Sequence, residues 1–270
     1  KAVPILERSG PALLRVDARN GFAQPAWAAA LPHALDMARQ QGAAVVAIRE
    51  SHHFSALWPD LEPLAEAGFV ALSMVTGLAC VAPPGGRKPV FGTNPLAFAT
   101  PVAGAHPMIF DFATSAMSNG DLRLAARAGH SVPPGTGIVR SGALSDDPKQ
   151  ILDGGALLPF GGHKGAAISL MVEILASALT GGQFSSEVDF SAHPGAETPR
   201  TGQVIIVIDP ARGNNAVFSE RVRNLIDSVR DAGQARLPSD RRYRTRESSE
   251  REGISLSVEQ RDALVRMAAG

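Results

Sequence analysis

The stretch LLPFGGHKGAAISLMVEILASALTGG, residues 157–182, constrains this chain more than any other. A glycine pair runs into His163-Lys164-Gly165, and an apolar pattern follows at once. Ile168, Met171, Val172, Leu175, Ala176 and Leu179 recur at helical spacing. The spacing predicts a helix whose first turn carries the histidine and the lysine. The first N–H groups of a helix lack intrahelical partners, and its macrodipole is positive there. Such a terminus favours an anion, and a lysine adds a full positive charge; a phosphate or a carboxylate would suit it. The P-loop spacing G-x-x-x-x-G-K-[ST] fails, because Gly165 follows Lys164 where Ser or Thr should stand. The same residues would also serve as a plain turn capping a core helix with an exposed lysine.

A chain of 270 residues can bury a real core, in one large domain or two small ones. Lys+Arg and Asp+Glu both number 26, so no net charge draws the chain to nucleic acid or to an anionic membrane. Cys80 is the sole cysteine. That excludes an internal disulfide framework and a cysteine-based zinc site, and fits a reducing cytoplasm. Its apolar setting, LACVA, makes it a core residue rather than a nucleophile. No run of 18 apolar residues occurs, since the helix after His163 carries Glu173 and Ser177, and no membrane span is expected. No signal-peptide pattern opens the sequence, and Lys1 leads straight into a strand-like segment.

Strand patterns cover residues 12–18, the β-branched run 43–49, 69–75, 96–100, 108–112 and 203–209. Helical patterns cover 25–41, stopped by Gly42, and 59–67, stopped by Gly68. Further helices are expected over 115–128, with Thr114 or Ser115 as N-cap, over 215–232, with Val217, Phe218, Val222, Leu225, Ile226 and Val229 on one side, and near 258–268. Residues 78–94 and 129–155 read as loop-rich, the latter with a turn at 140–143. Strands and helices mix without regular βαβ spacing, which gives an α/β or mixed α+β class.

No G-x-G-x-x-G, H-E-x-x-H or G-x-S-x-G occurs, and no metal site is expected. Chemistry falls instead to polar clusters beside apolar strands. Ser51-His52-His53-Phe54-Ser55 follows a buried strand, where ligand crevices of α/β folds tend to form, and a histidine there could donate a proton near neutral pH. In Phe91-Gly92-Thr93-Asn94-Pro95 a hydroxyl and an amide flank bare backbone. Phe110-Asp111-Phe112-Ala113-Thr114-Ser115 leads to Asn119-Gly120-Asp121, where Asp121, one to two turns into its helix, could orient a histidine. Residues 236–251 carry six arginines against Asp240, Glu247 and Glu250, and arginine forks suit phosphate. Each cluster read alone also has a structural explanation: a surface turn, a solvated carboxylate or a basic loop.

Together they are specific. S-H-H-F-S-A-L-W, P-P-G-G-R-x-P, F-G-T-N-P, F-D-F-A-T-S, L-L-P-F-G-G-H-K-G, M-V-E-x-L-A-x-x-L-T-G-G and L-P-S-D-R-R-Y occur in the order of one family. Over essentially its whole length the chain resembles the malate/L-lactate dehydrogenase family of non-Rossmann NAD(P)H oxidoreductases. The H-H-F-S-A-L-W and H-P-G-A-E-T-P segments are most similar to its branch acting on cyclic imine acids.

The resemblance implies a large, mostly antiparallel sheet flanked by helices, and cytoplasmic homodimers with sites near the subunit interface. It implies NADPH-dependent reduction of Δ1-piperideine-2-carboxylate and Δ1-pyrroline-2-carboxylate to L-pipecolate and L-proline, within lysine degradation and proline metabolism. It places NADP contacts at His52, at Ile109, Phe110 and Asp111, at His163 and Lys164, and at Arg236, Leu237, Pro238, Ser239, Asp240, Arg241 and Arg242. Thr93, Asn119 and Gly120 match substrate positions, Asp121 a relay aspartate, and His53 a catalytic acid. In this reading residues 1–270 form one oxidoreductase unit, with a cofactor and substrate core at about 43–210 and an arginine-rich C-terminal part at 211–270. Two departures stand out. The family's Ser-His-Gly segment and following arginine, upstream of the equivalent of Lys1, is not among these residues; and Asn119 and Gly77 replace a histidine and a small polar residue. The alternatives are a malate, lactate or sulfolactate-type 2-hydroxyacid dehydrogenase, and a catalytically impaired chain that folds and binds nucleotide.

Overall fold

The computed structural model of the chain describes residues 2–53, 55–192, 198–213 and 217–269, with the backbone alone at His53. It divides into two compact units, Lys1–Leu225 and Ile226–Gly270. The first opens with β1 (Ile5–Arg8), β2 (Leu13–Phe22), α1 (Ala23–Gln41), β3 (Ala43–His53) and α2 (Trp58–Glu66). β4 (Val70–Val75), β5 (Leu96–Thr100), β6 (Met108–Phe112) and α3 (Asn119–Ala128) follow. A small region holds β7 (Gly137–Ile138), β8 (Leu144–Ser145), α4 (Pro148–Leu152) and β9 (Ala156–Leu157). Then come α5 (His163–Glu173), continued by a π-helical turn at Ile174–Ala178, and β10 (Thr201–Ile208). α6 (Phe218–Asp231), α7 (Asp240–Glu252) and α8 (Val258–Ala269) complete the order.

Among the described residues seven strands form one sheet in the order β1-β2-β3-β10-β4-β5-β6. All its pairs are antiparallel except β2 with β3, which run parallel. The central strands are covered on both faces, which is why they read as unbroken apolar runs rather than alternating ones. In β3, Val46 and Ile48 enter the main core with Ile205, Val207, Ala71 and Val75, under Trp27, Ala30 and Ala34 of α1 and Leu61 and Leu64 of α2. On the other face Val45, Met74, Val204 and Ile206 meet Val172, Leu175 and Ala176. The sheet is therefore the middle of three layers, and α5 crosses its second face. A three-stranded sheet, β8-β7-β9, packs separately around Val81, Leu122, Ile151 and Leu157.

Three expected details differ. α3 starts at Asn119, capped by Ser118 rather than Thr114 or Ser115, so Asp121 stands in its first turn. Thr114 and Ser115 are buried and hold loop backbone instead. The described part of the helix expected over 215–232 begins at Phe218, and of its named apolar side Ile226 is buried while Leu225 lies 66% exposed. At residues 236–251, for which a basic loop is one of two readings, a helix runs over Asp240–Glu252.

In the second unit Asp240 knits the arginine-rich segment together. Its Oδ2 accepts from Leu237 N at 3.0 Å, and its Oδ1 lies 3.7 Å from Arg230. Leu237 and Tyr243 are buried, whereas Arg236 and Arg241 are exposed.

Candidate active site

The glycine pair fixes how α5 begins. Gly161 and Gly162 have φ of 56° and 63°, a region that side chains avoid, and a Cβ on either would meet nothing within 4 Å. Gly162 is the N-cap, with His163 and Lys164 the first two helical residues, both exposed. The helical ladder begins with Ala166 N donating to Gly162 O at 3.1 Å, so the N–H groups of His163, Lys164 and Gly165 precede it. At Gly165 the constraint is a close approach: a Cβ would sit 2.0 Å from Phe160 O. Bare N–H groups, a lysine and open space above a glycine turn fit a phosphate of a nicotinamide cofactor. A cleft of about 530 Å³ opens beside the turn, lined by Phe160, Gly161, Gly162, Ala116, Pro84 and Gly85 among others.

Backbone bonds draw the other motifs to this turn. Phe160 N donates to Thr114 O at 3.0 Å, Ala116 N to Leu158 O at 2.8 Å, and Thr114 N to Thr93 O at 2.8 Å. Thr93 is half-buried and Thr114 wholly buried. The Ala116 bond also carries the start of α3 towards the cleft. There Asp121 accepts from the Ser118 hydroxyl at 2.8 Å, while its own N–H donates to Ser118 Oγ at 3.0 Å. This reciprocal cap leaves the Asp121 carboxylate exposed, with acceptor capacity to spare.

The β6 segment joins through its aromatic side. Phe110 stacks on Phe98 and Phe112 with centroids 5.4 and 5.2 Å apart, and Phe112 meets Phe160 edge-on at 6.0 Å. On the opposite side of β6 Ile109 is fully buried, which leaves it only backbone to offer a ligand. Asp111 Oδ2 accepts from Leu57 N at 2.7 Å and Trp58 N at 3.0 Å, capping α2.

His52 is placed apart from this cluster. It lies on β3, separated from β6 by the three strands β10, β4 and β5, and its Nδ1 is 3.3 Å from Asn20 Oδ1. A separate apolar cavity of about 390 Å³, lined by Asn20, Phe22, Ala18 and Pro25, adjoins Asn20. The His53 side chain and residues 193–197 of the H-P-G-A-E-T-P segment lie outside the described residues. Residues 236–242 belong to the second unit, described above by itself.

Two groups near these loops titrate unusually. Burial, opposed by a backbone hydrogen bond at Thr93, pushes the Cys80 thiol up to about 12, so it stays protonated at neutral pH; the residue is half-buried against the cluster of Val81, Leu122 and Leu157 rather than within it. Burial likewise lifts the Asp60 carboxyl to about 6; a hydrogen bond from Gln203 opposes this and the Asp111 charge adds to it. Sequence reasoning passed over Asp60, and over Glu173, which lies 4% exposed among Asn94, Ser169 and Ser185. The available signal for Glu173 was an acidic residue within an apolar helix. Among the described residues no group of three His, Cys, Asp or Glu side chains could hold a metal, and no helix is long and apolar enough to cross a membrane.

Comparison with known proteins accounts for this arrangement. The chain is 55% identical over 268 residues to a Δ1-pyrroline-2-carboxylate/Δ1-piperideine-2-carboxylate reductase of Pseudomonas syringae pv. tomato, covering 99% of this chain and 78% of that protein. It is 54% identical to a protein of the same name from Pseudomonas putida, covering 98% and 77%. The crystal structure of Δ1-piperideine-2-carboxylate reductase from P. syringae pv. tomato superposes with a TM-score of 0.95 at 56% identity, over 98% of this chain and 80% of that one. The malate/L-lactate dehydrogenase family profile matches residues 1–265. The chain belongs to the malate/L-lactate dehydrogenase family, a family of nicotinamide-dependent oxidoreductases.

Proposed function

We propose that this chain is an NADPH-dependent imine reductase that converts Δ1-piperideine-2-carboxylate to L-pipecolate and Δ1-pyrroline-2-carboxylate to L-proline. The 55% identity over 99% of the chain to a reductase named for both substrates carries the reading. The backbone bonds that tie the segment before α5 to Thr114 and Ala116, and Thr114 to Thr93, support it.

NADPH, when bound, supplies the hydride that C2 of the substrate receives. Lys164, with His163 and the first N–H groups of α5, holds a cofactor phosphate. Phe110, Asp111, the Ile109 backbone and His52 would contribute further contacts to the cofactor. The segment Arg236, Leu237, Pro238, Ser239, Asp240, Arg241 and Arg242 selects NADP: Asp240 stiffens it, and the arginine forks meet the extra phosphate. The Thr93 hydroxyl and the N–H groups of Asn119 and Gly120 hold the substrate. A protonated ring nitrogen makes C2 a far better hydride acceptor, so a histidine must deliver a proton there. Asp121 orients that histidine through its spare acceptor capacity. The donor is His53 or the histidine of the family's Ser-His-Gly segment.

We also read the chain as a cytoplasmic homodimer. Leu170, Met171, Ile174 and Leu179 leave an apolar stripe 39–52% exposed on α5 and its continuation, which favours a second subunit there. The single cysteine fits a reducing compartment.

Steady-state turnover of both imine acids against pyruvate and oxaloacetate, under identical conditions, tests the assignment. We expect kcat/KM for the imines to exceed that for the 2-oxoacids by at least about tenfold. A preference for 2-oxoacids would replace the reading with a 2-hydroxyacid dehydrogenase, and turnover of neither would leave a nucleotide-binding fold without the activity.

A further inference from the structure

Glu173 closes α5 as a buried acid that the proposed mechanism does not use. It is the only acidic residue of α5 and is 4% exposed, with no ion pair among the described residues. Its Oε1 accepts from Asn94 Nδ2 at 2.9 Å, and its Oε2 from Ser185 N at 3.1 Å. Asn94, fully buried at a φ of 41°, spends its second N–H on Ser169 O at 3.2 Å. Its Oδ1 accepts from Ser185 Oγ at 3.4 Å. From the other side Thr114 N and Oγ1 approach Thr93 O at 2.8 and 3.0 Å, and Thr114 Oγ1 lies 2.9 Å from Ser169 Oγ. The Thr93 backbone is thus gripped on both flanks, and α5 supplies Ser169 to one flank and Glu173 to the other.

Packing alone would not retain a carboxylate here. An interior charge is costly, and an apolar side chain of similar volume usually serves stability as well. What an apolar side chain lacks is two acceptors aimed at two donors. Glu173 also stands nine residues beyond Lys164, about 13 Å along one rigid helix at 1.5 Å per residue. α5 therefore carries the proposed phosphate site in its first turn and the clamp on the Thr93 loop in its last.

We infer that Glu173 is a positioning residue for the substrate loop: through Asn94 it fixes Thr93 relative to the cofactor end of α5. The inference rests on the reading that Thr93 contacts the substrate. Glu173→Gln preserves shape, yet whichever way its amide turns, one NH₂ faces a donor, either Ser185 N–H or the Asn94 amide. Asn94→Gly removes the link and tolerates the positive φ.

Each variant should raise KM for Δ1-piperideine-2-carboxylate by roughly tenfold, as loss of a hydrogen bond to a buried charged group does. kcat should fall less than that, and NADPH affinity should stay within about twofold, because the first turn of α5 is untouched. The double variant should be no worse than the poorer single, since both remove one link. Lowered melting temperatures with an unmoved imine KM would make Glu173 purely structural and overturn the inference. If Glu173→Gln does not fold, Asn94→Gly decides on the same readouts. Thr93→Val provides the control: an unchanged imine KM there overturns the substrate-loop reading itself, and the inference with it. A raised KM for Thr93→Val beside an unmoved one for Glu173→Gln overturns the inference alone.

Discussion

Asp60→Asn should stabilise the protein at neutral pH and leave its stability unchanged in acid. Asp60 stands in the first turn of α2, where its Oδ2 accepts from Gln203 Nε2 at 3.0 Å. Burial foremost, with the Asp111 charge, holds its carboxyl at about 6 instead of the ordinary 3.8. The folded protein therefore binds this proton more tightly than the unfolded chain. Below about pH 3.8 both states are protonated and Asp60 costs nothing; between there and pH 6 stability drains away, and above pH 6 the whole penalty stands. A gap of two pH units or so, at 1.36 kcal/mol each, comes to about 3 kcal/mol. Partial solvent access lowers this, so the expected effect is about 1–3 kcal/mol. Asparagine keeps the shape, and its carbonyl still accepts from Gln203. Urea denaturation of both proteins from pH 4 to pH 8 should give a difference near zero at pH 4 that grows and then levels off in favour of the variant. A difference independent of pH, or a less stable variant at pH 7, would refute the argument that burial of this charge lowers the stability of the fold.

Lys164→Ala should weaken NADPH binding roughly ten- to a hundredfold, about 1.5–3 kcal/mol for a charge-assisted hydrogen bond. The melting temperature should hold, since the side chain is exposed and alanine favours helix. Fluorescence titration with NADPH measures the first and thermal denaturation the second; normal NADPH affinity would remove the phosphate site from α5. Changing Arg241 and Arg242 together to Ala should lower kcat/KM for NADPH while sparing NADH. Equal losses would show that these arginines do not read the extra phosphate.

The central strands were legible because burial on both faces demands β-branched runs, and residues 43–49 and 203–209 supply them; 96–100 and 108–112 were legible as short apolar and aromatic stretches between turn signals. The start of α5 was legible because a glycine pair before His-Lys leaves few alternatives. Its faces were not. Leu179 and Met171 belong to the apolar repeat yet lie 52% and 39% exposed, while Ser169, Glu173 and Ser177 turn inward. Apolar periodicity gives the helix but assigns its inner face by assuming that apolar means inside. Here small and hydrogen-bonded polar groups line the interior, and that depends on partners distant in sequence such as Asn94 and Ser185. The α3 boundary was misplaced because Thr114, Ser115 and Ser118 are all fit to cap, and only the tertiary bonds of Thr114 take it out of contention. β7, β8 and β9 are two residues each, too short to show any period. α7 is polar nearly all round and so carries no amphipathic signal.

The central claim is that this chain places a hydride on C2 of a cyclic imine acid. The most direct test is incubation of Δ1-piperideine-2-carboxylate with NADPH carrying deuterium at both C4 positions of the nicotinamide, followed by mass spectrometry and chiral analysis of the product. The account predicts L-pipecolate carrying one deuterium at C2. Racemic or unlabelled product, or deuterated 2-hydroxyacid formed from a 2-oxoacid while the imine is left untouched, would contradict it.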